Sequence, residues 1–171
     1  MSPAGKETQL ATWGEFKKAR PELAAHGQRL LKKHGIGLGF IATVRKDGGP
    51  RVHPCCPALD GENLYVFVVE TSPKVHDLMR DGRYALHAFP ADEDEEFYVA
   101  GRAERRADDE TRYLAAQAAA IGSHKVGDHF EPPKHEVLFE LSVERALHTT
   151  WENWTKPGTR PIYRKWIEEG E

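Results

Sequence analysis

The sequence predicts a mainly β protein, a small antiparallel barrel of six strands with a few short helices on its flanks. Three observations predict it. Six apolar or alternating segments between residues 38 and 151 are divided by short turn signals, in the manner of a meander. A regular helix follows only one of them, at 72–82, so the repeated strand-to-crossover-helix pattern of a doubly wound parallel sheet is missing. Glycines and the prolines Pro54 and Pro57 stand where a barrel needs bulges or corners. Closure would also remove exposed sheet edges.

Each element has its own signal. Residues 12–34 carry Phe16, Leu23, Leu30 and Leu31 at helical spacing, and Pro21 divides the segment into two helices. Gly35, Gly37 and Gly39 end it. From Leu38 the chain reads "LGFIATVR", turns at "KDGGP", returns as "RVHPCCPALD", turns at "DGEN" and continues as "LYVFVV". A helix opening with Ser72, Pro73 and Lys74 comes next. Val75, Leu78 and Met79 form its expected inward stripe, leaving Lys74, Asp77 and Asp81 toward solvent or a cleft. "RYALHAFP", an acidic turn over Asp92 to Glu96, and "FYVAGRAERR" follow. A second helix is expected from Ala107, with Tyr113, Leu114, Ala118 and Ile121 on one face and Gly122 as its stop. Residues 123–135 read as a loop, and "EVLFELSVERALHTTW" as the last strand. The expected organisation is a single domain over 1–171: helical segment 12–35, barrel 36–150, and an aromatic and basic tail 151–171.

Composition narrows the function. A chain of 171 residues can build one core that buries roughly 70% of the unfolded surface. Its 39% hydrophobic and 30% charged residues are ordinary for a soluble globular protein. The net charge of -3 and the lack of a basic stripe argue against nucleic acid as the main partner. The longest apolar run, "LYVFVV", falls far short of the roughly 20 residues that span a bilayer, and "MSPAGKETQLAT" has no apolar signal core, so no membrane partner is expected. Cys55 and Cys56 are adjacent, which suits neither a loop-closing disulfide nor a C-x-x-C metal site, and a reducing cytoplasm is the expected location. The histidines His124, His129 and His135 fit no compact ligand spacing, so no metal ligand is assigned. "GIGLGF" lacks the strand before it and the helix after it that dinucleotide binding requires.

The helix at 72 carries the first chemical signal. A lysine in a first turn meets the positive end of the helix dipole, which favours an anion as its neighbour. The hydroxyls of Thr71 and Ser72 and the first-turn amides point the same way and complete an anion site. In "PRVHPCC" strand alternation puts Arg51, His53 and Cys55 on one face and Val52, Pro54 and Cys56 on the other. Arg51 then reaches the space of Lys74 if the strands pair as the meander implies. A guanidinium fork, an ammonium, two hydroxyls and a helix N-terminus suit a terminal phosphate monoester. Taken alone, the same segments also suit an N-cap serine beside a solvated lysine, and an exposed strand arginine.

The wider pattern resembles a known family. "FIATVRKDGGPRVHPCCPALDGENLYVFVVETSPKVHDLMRDGRYALHAF" followed by "FYVAGRAERRADDE" is similar to the pyridoxamine 5'-phosphate oxidase-like family of FMN-binding split barrels. The shared order is an A-T-x-x-x-D-G-x-P-R-V hairpin, an S-x-K-x-x-x-L-x-x-D-x-R helix and strand, and a G-x-A strand leading to an acidic helix start. The resemblance covers residues 36 to about 148. It implies that Arg51 and Lys74 hold the FMN phosphate with Thr71 and Ser72, that the backbone of Val52, His53 and Pro54 lies along the isoalloxazine, and that Val68 and Val69 line the neighbouring strand. Pro54 can offer only its carbonyl. A homodimer with flavin in the interface, a small-molecule substrate and oxidoreductase activity are implied as well. No side chain is assigned as catalytic, because the flavin carries the hydride chemistry.

Departures from the family pattern shape the expectation. The C-terminal "WENWTKPGTRPIYRKWIEEGE" lacks the R-x-H substrate motif of true pyridoxamine phosphate oxidases, which points to the general stress protein or flavin reductase-like branch. Glu96 stands where oxidases of the family tend to carry glutamine, and a carboxylate near a flavin disfavours the anionic reduced ring. Trp154 is the first candidate to cover a flavin across the interface, with ordinary packing of the tail as the alternative. A deazaflavin reductase, a non-catalytic flavin, deazaflavin or haem carrier, and a barrel without ligand are the other readings.

Overall fold

Thr12 and Glu15 open the first helix by reciprocal capping, Thr12 Oγ1 accepting from the Glu15 amide at 3.2 Å and Glu15 Oε2 from the Thr12 amide at 2.7 Å. The computed structural model describes residues 10–106, 116, 118 and 135–168. Helix α1 spans Trp13–Ala19 and α2 spans Pro21–Leu31. Pro21 separates them as expected. It occupies the first turn of α2, where its missing N–H costs no intrahelical bond.

The strands are β1 Gly39–Val44, β2 Pro50–Cys55, β3 Pro57–Leu59, β4 Leu64–Val69, β5 Arg83–Ala88, β6 Glu96–Arg105, β7 Glu136–Leu141, β8 Arg145–Glu152 and β9 Arg160–Ile167, with helix α3 at Pro73–Arg80 between β4 and β5. Every strand pairing among the described residues is antiparallel, as the meander predicts. Side-chain turns set the first hairpins: Asp47 Oδ1 accepts from the Gly49 amide at 3.0 Å, and Asp60 Oδ1 accepts from the amides of Glu62 and Asn63 at 2.9 and 2.7 Å.

Nine strands replace the six expected, for three local reasons. Cys56 breaks the segment 50–59 into β2 and β3, which pair with different neighbours, β1 and β4. Residues 142–144 break the last expected strand into β7 and β8. The expected tail is in fact β9, zipped to β8 from Arg145↔Ile167 to Glu152↔Arg160. Its mixture of charged and aromatic residues hides a strand that no alternation announces. The helix expected from Ala107 and the loop with His124 and His129 lie outside the described residues, except that Ala116 and Ala118 are helical.

Strand β6 joins the two halves of the sheet. One edge pairs with β5, while the other pairs with β8 through residues 96–100 and with β7 through 103–105. Between them stands Gly101, where an added Cβ would lie 2.2 Å from the carbonyl oxygen of Ser142. Ser142 bridges this seam, its hydroxyl accepting from the Arg102 amide at 3.0 Å and its carbonyl accepting from the Tyr84 hydroxyl at 2.7 Å. The sheet runs β2-β1-β5-β6-β7-β4-β3, leaving β2 as a terminal strand.

Directly paired residues share a face, so the registers define an inner row Ile41, Leu86, Val99, Ala146 and Trp166. The α1–α2 pair packs on that inner side. Trp13 meets Phe16 and Phe97 edge to face at 5.3 and 6.3 Å, and Phe16 lies 5.0 Å from Trp166. Gly27 lets α2 approach closely, since a Cβ there would fall 2.3 Å from Phe97. The opposite face carries the row Val52, Ala42, Ala85 and Ala100. Among the described residues no helix is long and apolar enough to cross a membrane.

Candidate functional site

Helix α3 begins at a serine N-cap, Ser72 Oγ accepting from the Lys74 amide at 3.4 Å. The free first-turn amides expected from the sequence are not there. The Ser72 amide donates to Val69 O at 2.8 Å, Pro73 has none, the Lys74 amide goes to Ser72 Oγ, and the Val75 amide donates to Ser72 O at 3.0 Å. Any anion at this end is therefore met by side chains. Thr71 is exposed, and the ammonium of Lys74 has no ion-pair partner among the described residues. The Ser72 hydroxyl keeps its own proton to donate, since it accepts rather than donates in the cap.

The inward face of α3 also differs from expectation. Val75 and Leu78 are buried as predicted, but Met79 is 53% exposed and Asp77, placed by the sequence toward solvent, is 3% exposed. The reason is a set of three donors. Asp77 Oδ2 accepts from Arg51 Nε at 2.7 Å and from Thr43 Oγ1 at 2.9 Å, and Asp77 Oδ1 accepts from Arg80 at 3.3 Å. Burial works against the charge, yet the hydrogen bonds from Arg51, Thr43 and Arg80 outweigh it and hold the carboxyl below its ordinary value. Arg80 also donates to Val44 O, so the helix is tied to both strands of the β1–β2 hairpin, to Thr43 and Val44 in β1 and to Arg51 in β2.

Strand β2 alternates as the sequence indicates, with Arg51, His53 and Cys55 half-buried and Val52 and Pro54 exposed. Arg51 uses Nε on Asp77, and its terminal nitrogens make no hydrogen bond among the described residues. At the other end of the same face, burial pushes the Cys55 thiol up to about 12, opposed in part by the Lys74 ammonium. Cys56 is raised too, by burial and by Glu136. Both stay thiols at neutral pH, which removes the nucleophilic thiolate that redox chemistry at this pair would need. Arg51 and Lys74 thus both address the inner face of β2, one through its contact with α3 and the other from α3 itself. Val68 is buried in β4, Val69 is exposed at its end, and Thr71 and Ser72 follow directly.

The fit to a phosphorylated ligand can be tested on these atoms. Among the described residues Arg51 is held by one edge with its fork unspent, Lys74 is unpaired, and two hydroxyls adjoin it. Those are the donors a phosphate requires. The outer backbone edge of β2 has no partner strand among the described residues, which leaves peptide groups for a heterocycle's polar rim.

A second polar cluster escaped the sequence reading altogether. His148 is fully buried and donates from Nε2 to Glu95 Oε1 at 2.7 Å, with its ring stacked 4.0 Å over that of His26. Arg29 donates to the same Glu95 oxygen at 2.5 Å and lies 3.4 Å from His26 Nδ1. The two imidazoles and the carboxylate offer ligand atoms within 4.8 Å of one another. Arg29, however, occupies the place of a cation, and face-to-face rings aim their lone pairs side by side rather than at a common point. His148 Nδ1 has no hydrogen-bond partner, whereas a metal-bound histidine nearly always anchors its second nitrogen. The cluster is a charge-compensated clasp of α2 onto β6 and β8. No local spacing could reveal it, since its members lie on three separated elements.

The tail aromatics divide. Trp166 packs on the core, while Trp151 and Trp154 lie 5.5 Å apart at the β8–β9 turn, Trp151 Nε1 donating to Asp94 O at 3.1 Å.

This architecture is that of a split barrel. Residues 28–150 match the pyridoxamine 5'-phosphate oxidase family, and the chain belongs to that family in its broad, oxidase-like sense. No curated protein matches the chain. Among solved structures, a pyridoxamine 5'-phosphate oxidase-related, FMN-binding protein from Nostoc punctiforme is 14% identical with a TM-score of 0.54, covering 95% of this chain and 99% of that one. A haem-binding protein from Mycobacterium smegmatis is 19% identical with a TM-score of 0.58, covering 80% of this chain; the match spans 56% of that protein's length. An F420 reductase is 23% identical with a TM-score of 0.51, covering 69% of this chain and 94% of that one. At these identities the structures share the fold.

Proposed function

We propose that this protein is an FMN-binding oxidoreductase of the pyridoxamine 5'-phosphate oxidase-like family, acting on a small molecule other than a vitamin B6 phosphate. The observation that carries the reading is the pair of cations at one corner that, among the described residues, are unspent: Arg51 with its fork free and Lys74 without an ion-pair partner. In this reading Arg51, Lys74, Thr71 and Ser72 hold the phosphate, and Val52, His53 and Pro54 along the free edge of β2 orient the ring beside Val68 and Val69. When bound, the flavin supplies hydride transfer. The protein binds it, orients it and excludes water from one face.

A homodimer belongs to the same proposal. Val52 is 60% exposed and Phe40 38%, and they continue into the small outer row Ala42, Ala85 and Ala100, an apolar surface suited to a second copy. A cytoplasmic site of action is consistent with two free cysteines that stay reduced.

Mass spectrometry of the small molecule released from the purified, denatured protein tests the cofactor directly. FMN is the expected product; a deazaflavin, haem or nothing would replace the reading. Arg51→Ala combined with Lys74→Ala is expected to weaken FMN binding by at least about 100-fold, two charge-assisted contacts being lost.

A further inference from the structure

We infer that Asp77 is a positioning residue for the phosphate clamp, fixing the guanidinium of Arg51 by its Nε edge and so setting where a flavin phosphate is held. The inference rests on the flavin reading above and adds a residue that touches no ligand itself. Asp77 is too deeply buried to reach one. Its two oxygens are fully engaged, Oδ2 by Arg51 and Thr43 and Oδ1 by Arg80.

The geometry assigns the arginine's faces. An arginine held through Nε cannot swing about its long side chain, and the nitrogens left over form the fork that meets two phosphate oxygens side by side. Thr43 and Arg80 lock the carboxylate in turn, and Arg80 reaches Val44 O, so α3 and the β1–β2 hairpin move as one piece. Lys74 sits three residues before Asp77 on the same helix, which fixes its spacing from Arg51 through the same contact. Ordering the cations before the ligand arrives lowers the entropy that binding must overcome.

Charge gives the test its sign. Arg51, Arg80 and Lys74 are cations and Asp77 is the acid among them, so the corner is two charges positive, close to the charge of a phosphate monoester at neutral pH. Neutralising Asp77 raises the positive charge and by electrostatics alone would tighten phosphate binding. Loss of positioning would weaken it. The two effects oppose each other.

The experiment measures the affinities of FMN and of riboflavin, which lacks the phosphate, for the wild type, Asp77→Asn, Arg51→Ala and the double variant. Asparagine keeps the size and one acceptor. For Asp77→Asn, FMN affinity is expected to fall on the order of tenfold, while riboflavin affinity stays within about twofold. In the Arg51→Ala background the asparagine adds no further loss. Unchanged or tighter FMN binding, an equal fall for riboflavin, or an additive loss in the double variant overturns the inference. If Arg51→Ala itself leaves FMN binding intact, the clamp reading fails instead. Should Asp77→Asn not fold, Thr43→Val removes one donor to the same oxygen and is expected to produce the same phosphate-specific loss, about threefold; equal losses for both flavins would refute it.

Discussion

Asp77 and Glu95 each tie a helix to the sheet through hydrogen bonds from an arginine and a second side chain, yet the two clusters are built from different partners. Around Asp77 the charged donors are the guanidinium groups of Arg51 and Arg80, and the third is the neutral hydroxyl of Thr43. Around Glu95 one charged donor, Arg29, is joined by two imidazoles, those of His148 and His26. The Asp77 cluster stands beside unspent cations, and the Glu95 cluster beside a buried ring and the hydrophobic contact of Gly27 with Phe97. One arrangement holds charge ready for a ligand, while the other spends its charge on closing α2 over the core.

Truncation gives the largest difference between them. Asp77→Ala removes three hydrogen bonds at once, two of them charge-assisted, and leaves the buried Thr43 hydroxyl without its acceptor, and is expected to lower the unfolding free energy by about 3 kcal/mol. Urea denaturation measures it, and a loss smaller than that of Glu95→Ala would reverse the ranking drawn here. For Glu95→Ala the expected loss is about 2 kcal/mol: half-exposed Arg29 can return to water, but fully buried His148 loses the partner of its Nε2.

Acid should separate the clusters next. His26 has a lowered pKa, chiefly from burial and then from the positive charges of His148 and Arg29. A lowered imidazole value means that its contribution is complete above the unfolded value of about 6.5 and is lost as pH falls below that toward the folded value. Asp77 and Glu95 are both held low despite burial, by hydrogen bonds from their partners. Their contributions are complete above the ordinary carboxyl range near pH 4 and disappear as pH falls through their folded values. Hydrogen exchange between pH 7 and 5 should therefore show α2 losing protection while α3 keeps it. Equal loss in both helices would show that the two clusters titrate as one.

The smallest effect is expected for His26→Gln, since the ring is partly exposed. This variant should flatten the dependence of α2 protection between pH 6.5 and 5 with little change at pH 8. A steep dependence persisting in the variant would show that His26 is not the group responsible.

Much of the fold could be read from local signals, and the clusters could not. Pro21 announces a helix boundary, the Asp-Gly turns announce hairpins, and the alternation in "PRVHPCC" places Arg51 and His53 on one face; each depends on neighbours in sequence. Asp77 looked like a solvent residue because its partners Thr43 and Arg51 are brought to it by the packing of α3 on the β1–β2 hairpin. The first-turn amides of α3 looked available because Ser72 was credited to a ligand, whereas its hydroxyl and carbonyl take the amides of Lys74 and Val75. Strand β9 was hidden because its apolar and charged residues follow no period of two, and its place is decided by the exposed edge of β8. His26, Glu95 and His148 meet only after three elements have assembled.

The pairing of β6 with two strands, on either side of Gly101, has a consequence for how the chain is made. Strands β4 and β6 both wait for β7, and β6 also waits for β8, so until residues 136–152 leave the ribosome the newborn polypeptide carries two open β edges. A translational stall in the intervening stretch would leave those edges free to join another chain.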